Sequence, residues 1–276
     1  MTRPFTQVDV FTTTPYRGNP VAVVLDGAGL TAAQMQRFAN WMNLSETTFV
    51  LPPADPGADY RVRIFTPATE LPFAGHPTLG TCHAWLGAGG TPRTGGVIVQ
   101  ECQAGLVRVR RSADGLAFAA PPVLRDGPLA ADLLAQVASA LRIDRSAIVD
   151  ASWADNGPGW IAVLLDSAEA VLAVKPGDTD LNLGLAGPYP AGSPAAFEVR
   201  AFFTKDGGIA EDPVTGSFNA SLAAWLLRTG RASAPYVASQ GTALGRAGRV
   251  GVSRDDDGTI WVAGGTVTCV SGQVDL

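Results

Sequence analysis

Four pairs of segments in this 276-residue chain resemble each other, in the same order and at nearly the same separation. The pairs are VAVVLDG with IAVLLDS (21–27, 161–167), VRIFT with VRAFFT (62–66, 199–204), HPTLGT with DPVTGS (76–81, 212–217), and GLVRVRRSADG with GRVGVSRDDDG (105–115, 248–258). The second member of each pair begins 136 to 143 residues after the first. A repeat of this length indicates two tandem copies of one structural unit.

Each copy mixes strand-like and helix-like segments. β-Branched or alternating apolar runs predict strands, and the runs after the HPTLGT and DPVTGS turns predict helices. The fold class is therefore predicted to be α+β, with a strand-rich layer and one main helix in each copy. We predict domains at 1–120 and 121–267, and we allow for a last strand at about 268–276 that returns to the first domain. A polar, glycine-containing turn is predicted over 207–215.

The first helix start carries one of the chain's two histidines, His76, followed by Pro77. Proline suits a first helical position because its missing N–H would lack an intrahelical partner there in any case. A helix N-terminus presents backbone N–H groups and a partial positive charge, so it can hold a carboxylate or phosphate. This helix start is therefore a candidate anion site.

The second helix start is predicted to mirror the first. In the repeat, Asp212 occupies the place that matches His76, and hydroxyl and backbone donors follow it at Thr215, Gly216 and Ser217. If the two copies bury related surfaces, the two helix starts would converge on one cleft, and such clefts are common ligand sites. A small anionic metabolite is the ligand that this arrangement favours.

Glu46 is the third candidate. It lies in NLSETTFVL, between apolar neighbours, where a carboxyl group can be partly desolvated and used as a general acid or base. Each candidate has a simpler alternative. Glu46 could be an exposed glutamate at a strand start, and His76 and Asp212 could be ordinary helix caps.

The composition limits the possible partners. The chain is 46% hydrophobic and has a net charge of −5 without a basic run, so neither nucleic acid nor an anionic membrane is expected as a partner. No stretch approaches the ~18 consecutive apolar residues of a membrane span, and the first residues lack the apolar core of a signal peptide. Three cysteines without CxxC spacing predict reduced thiols in a cytoplasmic protein. With two histidines and no Cys/His cluster, no metal site is expected.

Several motifs resemble those of one known family. NLSETTFV, FTPATELPFAGHPTLGT and GIAEDPVTGS, with YRGNPVAVV near the start and SQGTALGRAGRV near the end, are similar to the phenazine-biosynthesis PhzF-like isomerases. The resemblance covers essentially the whole chain. It implies a diaminopimelate-epimerase-like fold with two pseudo-symmetric domains, each a β-roll or barrel around a central helix. It also implies an active site between the domains, and a homodimer.

The resemblance assigns roles to single residues. It implies that Glu46 is the proton-shuttling acid/base residue, that His76 and Asp212 flank the substrate, and that Gly75 and Ser217 help to bind it. Related epimerases use a pair of cysteines at the two helix starts. His76 and Asp212 stand in the corresponding turns of this chain, which disfavours a two-thiol racemase mechanism.

The functional hypothesis is a cofactor-independent isomerase in which Glu46 moves a proton within a small carboxylate-bearing metabolite. Two alternatives stay open. One is an epimerase or racemase of an amino-acid-like acid. The other is a non-catalytic metabolite-binding protein on the same scaffold.

Overall fold

The computed structural model describes residues 1–205 and 208–276. In chain order, the helices of this part are α1 (Ala32–Met42), α2 (Gly75–Gly87), α3 (Ala131–Leu141), α4 (Ala168–Ala173) and α5 (Gly216–Arg228). The strands of the first half are β1 (Thr2–Val10), β2 (Asn19–Val24), β3 (Glu46–Leu51), β4 (Tyr60–Phe65), β5 (Glu70–Leu71), β6 (Val97–Cys102), β7 (Gly105–Ser112) and β8 (Gly115–Ala119). Those of the second half are β9 (Arg125–Pro128), β10 (Asp150–Asp155), β11 (Trp160–Leu164), β12 (Asn182–Pro188), β13 (Phe197–Lys205), β14 (Gly208–Asp212), β15 (Tyr236–Gln240), β16 (Gly248–Arg254), β17 (Ile260–Gly264) and β18 (Thr266–Asp275).

The chain divides into two compact units. Unit 1 contains Met1–Ala119 and Ala263–Leu276, and unit 2 contains Ala120–Val262. Strands dominate both units, which confirms the α+β class predicted from the sequence. No helix in the described part of the chain is both long and apolar enough to cross a membrane.

Both units repeat the same succession of strand pairings. In unit 1, β1–β2 is antiparallel, β2–β3 parallel, β3–β4 and β4–β5 antiparallel, β4–β6 parallel and β6–β7 antiparallel. In unit 2, the pairs β10–β11, β11–β12, β12–β13, β13–β14, β13–β15 and β15–β16 follow the same sequence of directions. The first strand of each series has a further antiparallel neighbour, β18 for β1 and β9 for β10. The internal repeat seen in the sequence therefore corresponds to a repeated pattern of hydrogen bonding.

Each unit has a helix that is buried on nearly every side. In unit 1, α2 contacts β1, β2, β3, β6, β8 and β18, and nine of its thirteen residues are buried. In unit 2, α5 contacts β10 and β16, and nine of its thirteen residues are buried. Burial on all sides explains why the sequences of these helices lack a polar face.

Helix α1 leads directly to the strand that carries Glu46. It starts with a capping box, in which the Thr31 hydroxyl accepts from the Gln34 N–H and the Gln34 side chain accepts from the Thr31 N–H. It ends at Asn43, in the left-handed conformation that commonly terminates helices. Its apolar face packs on the sheet through Met35, Phe38 and Ala39, and β3 begins three residues after Asn43.

The prediction of a turn over 207–215 is wrong for most of its length. Residues Gly208–Asp212 form β14, which pairs antiparallel with β13. Residue 207 lies outside the described residues. The segment resembles a turn because it is short and polar, with none of its five residues fully buried. Its hydrogen-bonding partner is a neighbouring strand, which the composition of the segment does not reveal.

A bidentate ion pair joins the hairpin strands that precede each of the two buried helices. In unit 1, Arg63 donates to both carboxylate oxygens of Glu70, at 2.7 and 2.6 Å. In unit 2, Arg200 donates to both oxygens of Glu211, at 3.0 and 2.8 Å. Arg200 also donates to the carbonyl of Val174 at 2.7 Å. The unit 2 pair is the more buried, with side-chain exposures of 7% and 10% against 22% and 29%.

Comparing these two ion pairs tests how burial changes the contribution of an ion pair to stability. We expect Arg200→Ala to lower the free energy of unfolding by about 3–5 kcal/mol, because it leaves the Glu211 charge buried without its partner. Arg63→Ala should cost about 1 kcal/mol or less, because solvent reaches both groups of its pair. Urea unfolding of the two variants measures the difference, and equal losses would contradict this account.

Candidate active site

In unit 1 the structure brings Glu46 and His76 into contact. His76 Nε2 lies 3.3 Å from Glu46 Oε2, and the side chains are 5% and 15% exposed. Gly75, also predicted from the family resemblance, precedes His76 and is the first residue of α2. Three of the residues predicted from sequence therefore lie together at one place in this unit.

Two elements hold this pair. Glu46 is the first residue of β3, where it is paired with Val21 in the parallel neighbour β2. His76 is the second residue of α2, in the first turn of a buried helix. The residue before α2, Ala74, has no side chain that could cap the helix. The N–H groups of Gly75 and His76 at this helix start are therefore candidates to bind an anion close to Glu46.

His76 is held in its neutral form. Burial lowers the pKa of His76 to about 3, and a hydrogen bond to the backbone of Pro20 opposes this shift. The other ring nitrogen, Nδ1, lies 3.4 Å from the side-chain amide nitrogen of Asn19. The contact with Glu46 is therefore made by a neutral imidazole at neutral pH and does not form an ion pair.

The position of the single ring proton decides what Glu46 does in this contact. With the proton on Nε2, this N–H faces the Glu46 carboxylate across 3.3 Å, and Nδ1 can accept from the Asn19 amide. With the proton on Nδ1, Nε2 can only accept, and Glu46 must be the protonated donor. The position of the ring proton therefore sets which of the two facing groups, His76 or Glu46, would be the donor.

In unit 2, Asp212 is the last residue of β14, and Thr215 is the N-cap of α5. The Thr215 hydroxyl donates to Asp212 Oδ2 at 2.6 Å. Gly216 is the first residue of α5. The Thr215 hydroxyl makes no capping bond to the backbone of α5, so it is directed to the carboxylate of Asp212.

Ser217 is the second residue of α5, and two side chains hold it. Trp160 Nε1 donates to Ser217 Oγ at 3.1 Å, and the Asn156 amide donates to the Ser217 carbonyl at 2.9 Å. Because the Ser217 oxygen accepts from the indole, its own proton is left to donate to another acceptor. A substrate carboxylate is one such acceptor.

The predicted correspondence between His76 and Asp212 is wrong. His76 is the second residue of α2, and the second residue of α5 is Ser217. The two ion-paired glutamates, Glu70 and Glu211, each lie five residues before the first residue of their helix. This register pairs Asp212 with Leu71 and gives it no ionisable counterpart in unit 1. The motifs HPTLGT and DPVTGS resemble each other because both suit a helix start, and they are five residues out of register.

Sequence reasoning missed several side chains that contact the candidate residues, among them Asn19, Asn156, Trp160 and Gln240. Asn19 and Gln240 lie inside YRGNPVAVV and SQGTALGRAGRV, two motifs that support the family resemblance, so the sequence does contain a signal for them. A tryptophan is expected in the core, and Trp160 is indeed 4% exposed. Asn156 has no distinguishing sequence feature. Within residues 1–205 and 208–276, no cluster of three or more His, Cys, Asp or Glu side chains is placed to hold a metal ion.

Comparison with known proteins identifies the family. The family model for phenazine biosynthesis-like proteins, PhzC-PhzF, matches residues 8–272. The chain belongs to this family. It is 35% identical over 295 residues to Antisense-enhancing sequence 1 of Schizosaccharomyces pombe, covering 98% of this chain and 97% of that protein. It is 38% identical over 247 residues to the trans-2,3-dihydro-3-hydroxyanthranilate isomerase of Pseudomonas fluorescens, covering 87% and 86% of the two chains.

The crystal structure of a Bacillus anthracis phenazine biosynthesis protein of the PhzF family has the same fold. It matches with a TM-score of 0.86 over the whole of both chains, at 23% identity. The diaminopimelate-epimerase-like fold class implied by the motifs is thereby confirmed. Since its relatives include named isomerases, the protein is an enzyme of the PhzF-like isomerase type.

Burial of the neutral His76 ring should make folding stability depend on pH. The pKa of His76 moves from 6.5 to about 3 on folding, so between these pH values the unfolded chain binds more protons at this residue. The free energy of unfolding should therefore rise with pH across this window, by up to about 1.4 kcal/mol per pH unit, and the contribution should be complete above it. Urea unfolding from about pH 4 to about pH 8 measures this slope, and His76→Gln should remove the larger part of it.

His83, the other histidine, provides the control. Its ring contacts the Thr266 and Thr268 hydroxyls, at 2.9 Å each, and partial burial lowers its pKa in the same direction. His83→Gln should therefore remove a smaller part of the slope. Nitrogen NMR of ¹⁵N-histidine protein gives a direct check, and a charged His76 ring at about pH 6 would contradict the assignment.

Proposed function

We propose that this enzyme moves a proton between two carbons of a small, carboxylate-bearing metabolite, with Glu46 as the acid/base group. The observation that carries this proposal is the contact between Glu46 and a neutral, buried His76 at the start of α2. The name of the Pseudomonas fluorescens relative supports the substrate class, because a hydroxyanthranilate is a carboxylic acid.

The first step is removal of a proton from a carbon made acidic by a conjugated system. The Glu46 carboxylate takes this proton, and the electron pair left on carbon is delocalised into the conjugated system. The helix start at Gly75 is suited to stabilise the negative charge that develops. In the second step Glu46 returns the proton to another carbon of the same molecule. The product is therefore an isomer of the substrate with the same charge, and Glu46 is again a carboxylate.

His76 supports this mechanism because it is a poor base. Burial lowers the pKa of the His76 ring to about 3, so the ring is a poor acceptor for the proton that Glu46 takes up. The proton removed from the substrate therefore stays on Glu46 until it is returned. The ring can accept from the protonated carboxyl or donate to the carboxylate, and in both states it keeps Glu46 in one orientation.

Asp212 and the start of α5 are proposed to bind the substrate. The anchored Ser217 has a proton available for a carboxylate, and the first turn of α5 supplies backbone N–H groups. Asp212 is an acceptor, so it suits a hydroxyl or amino group on the substrate. A hydroxyanthranilate-type acid carries all of these groups.

We also propose that the enzyme acts as a homodimer, without a cofactor, in the reducing cytoplasm. All three of its cysteines, Cys82, Cys102 and Cys269, are free thiols, which suits that compartment. Light scattering during size-exclusion chromatography would test the oligomeric state, and a monomeric mass would contradict the dimer.

The acid/base role of Glu46 is tested by Glu46→Gln. The variant should lose about 10²–10⁴-fold in turnover, because an amide cannot carry the proton, and its unfolding should stay cooperative. The assay uses trans-2,3-dihydro-3-hydroxyanthranilate in D₂O, with NMR detection of the moved double bond and of deuterium at the reacting carbons. Glu169→Gln, an exposed glutamate of α4, makes the same chemical change elsewhere and should be active at the wild-type level.

Three outcomes of this assay would reject parts of the proposal. A Glu46→Gln variant that reacts at the wild-type rate would reject the acid/base assignment. Inversion at a single carbon, detected by chiral analysis, would favour an epimerase or racemase. Tight binding without any deuterium exchange, in the wild type, would favour a metabolite-binding protein.

The role of Asp212 is tested separately. Asp212→Asn removes the charge but keeps the size of the side chain, so we expect KM to rise more than kcat falls, because a binding contact is weakened without loss of the base. Steady-state kinetics on the same compound distinguish the two effects. A fall in kcat as large as that of Glu46→Gln, with KM unchanged, would contradict a binding role.

A further inference from the structure

The fully buried amide of Gln240 connects the segment that carries Asp212 to helix α5. Gln240 is the last residue of β15 and is 0% exposed. Its oxygen accepts from the backbone N–H of Thr215 at 3.0 Å and from the Asn219 amide at 2.8 Å. Its nitrogen donates to the Thr215 hydroxyl at 2.9 Å and to the Asp212 carbonyl at 3.3 Å. The Gln240 side chain therefore makes four hydrogen bonds, and these join the end of β14 at Asp212 to the start of α5 at Thr215 and Asn219.

These bonds set the direction of a hydrogen-bond chain. Because the Gln240 oxygen faces two donors, the amide cannot be turned over without losing both bonds. The amide nitrogen must then donate to the Thr215 oxygen. The Thr215 proton is therefore directed to Asp212 Oδ2, only 2.6 Å away. The chain runs one way, from amide to hydroxyl to carboxylate, and a hydrogen bond to a carboxylate is among the stronger kinds.

Two glycines of the same motif allow strands β15 and β16 to approach this segment. A Cβ at Gly241 would lie 2.6 Å from the Pro213 carbonyl oxygen, and Gly241 has a φ of +89°. A Cβ at Gly248 would lie 2.4 Å from Cγ2 of Val214. The motif SQGTALGRAGRV thus places Gln240 against the connection between β14 and α5.

A buried glutamine of unit 1, Gln100 in β6, also bonds to the buried helix of its own unit. Gln100 is also 0% exposed, accepts from Tyr60 at 3.0 Å and donates to the Thr78 hydroxyl at 2.9 Å. The Thr78 hydroxyl donates to the backbone carbonyl of Ala74 at 2.9 Å. The series of hydrogen bonds in unit 1 therefore ends on a backbone carbonyl at the start of α2, whereas the series in unit 2 ends on the carboxylate of Asp212.

We propose that Gln240 is a positioning residue which, through the Thr215 hydroxyl, holds the Asp212 carboxylate in the orientation that meets the substrate. This inference rests on the proposed role of Asp212 in substrate binding. It also gives Thr215 a positioning role, because its N–H and its hydroxyl proton are both committed within the protein. Neither residue needs to touch the substrate to affect catalysis.

The first pair of test variants changes Thr215. Thr215→Val has nearly the same shape and keeps the backbone N–H, but it loses the hydroxyl. We expect the Asp212 carboxylate to be displaced by about 1 Å or more in a crystal structure of this variant, and kcat/KM to fall by about 10–100-fold. Thr215→Ser restores the hydroxyl and should recover both the position and most of the activity.

The second pair changes the two glutamines in the same way. Gln240→Glu and Gln100→Glu each replace one buried amide nitrogen with oxygen. Each variant therefore loses the hydrogen bonds that the amide nitrogen donates and keeps those that the amide oxygen accepts. Both should lower the thermal midpoint. Only Gln240→Glu should displace Asp212, and it should lower kcat/KM far more than Gln100→Glu does. A similar loss in both would mean a general effect on helix starts and would overturn the proposal.

The crystal structures and the kinetics test different parts of the proposal. If Asp212 stays in place in both Thr215→Val and Gln240→Glu, the positioning proposal is wrong, whatever the activity of the wild type. If Asp212 moves and kcat/KM does not fall, its orientation has no role in the reaction and the proposal is also wrong. A wild type that leaves trans-2,3-dihydro-3-hydroxyanthranilate unchanged would reject the proposed substrate, while the position of Asp212 would still decide the structural claim.

Discussion

Burial of the first turn of α2 is the constraint on which the site in unit 1 depends. The helix is enclosed by strands on nearly every side, so the His76 ring is buried and its charged form is disfavoured. The ring is therefore neutral, and its contact with Glu46, 3.3 Å from Nε2 to Oε2, is a close approach of a neutral imidazole to a carboxyl group and not an ion pair. A more exposed His76 would be charged in acid solution and would favour the carboxylate form of Glu46.

The two units share a framework but use it differently. Each has a helix that is almost completely buried, an ion-paired hairpin before that helix and a buried glutamine that bonds into its first turn. Unit 1 uses the framework to bring His76 to Glu46, while unit 2 uses it to direct Thr215 towards Asp212. In both units the repeated elements hold the helix start in place. The chemistry comes from the few residues at that place that differ between the units.

The ion pairs illustrate how this support is achieved. Removing charges from water is unfavourable unless the partners are well aligned. The bidentate geometry of Arg200 with Glu211, and the carbonyl contacts of Arg200, meet this condition at low exposure. Because Asp212 directly follows Glu211, an interaction that stabilises the hairpin also limits where the Asp212 carboxylate can lie.

The sequence by itself determined the α+β class, the repeat, and the candidates Glu46, His76 and Asp212, because these depend on local pattern and on motifs that lie within short segments. It did not determine the true register of the repeat, in which His76 matches Ser217, nor the strand at Gly208–Asp212. Both depend on hydrogen bonds between segments far apart in the chain. The neutral state of His76 and the chain from Gln240 through Thr215 to Asp212 were decided only by the tertiary structure, since burial and the direction of a hydrogen bond are properties of the surroundings and not of the residue.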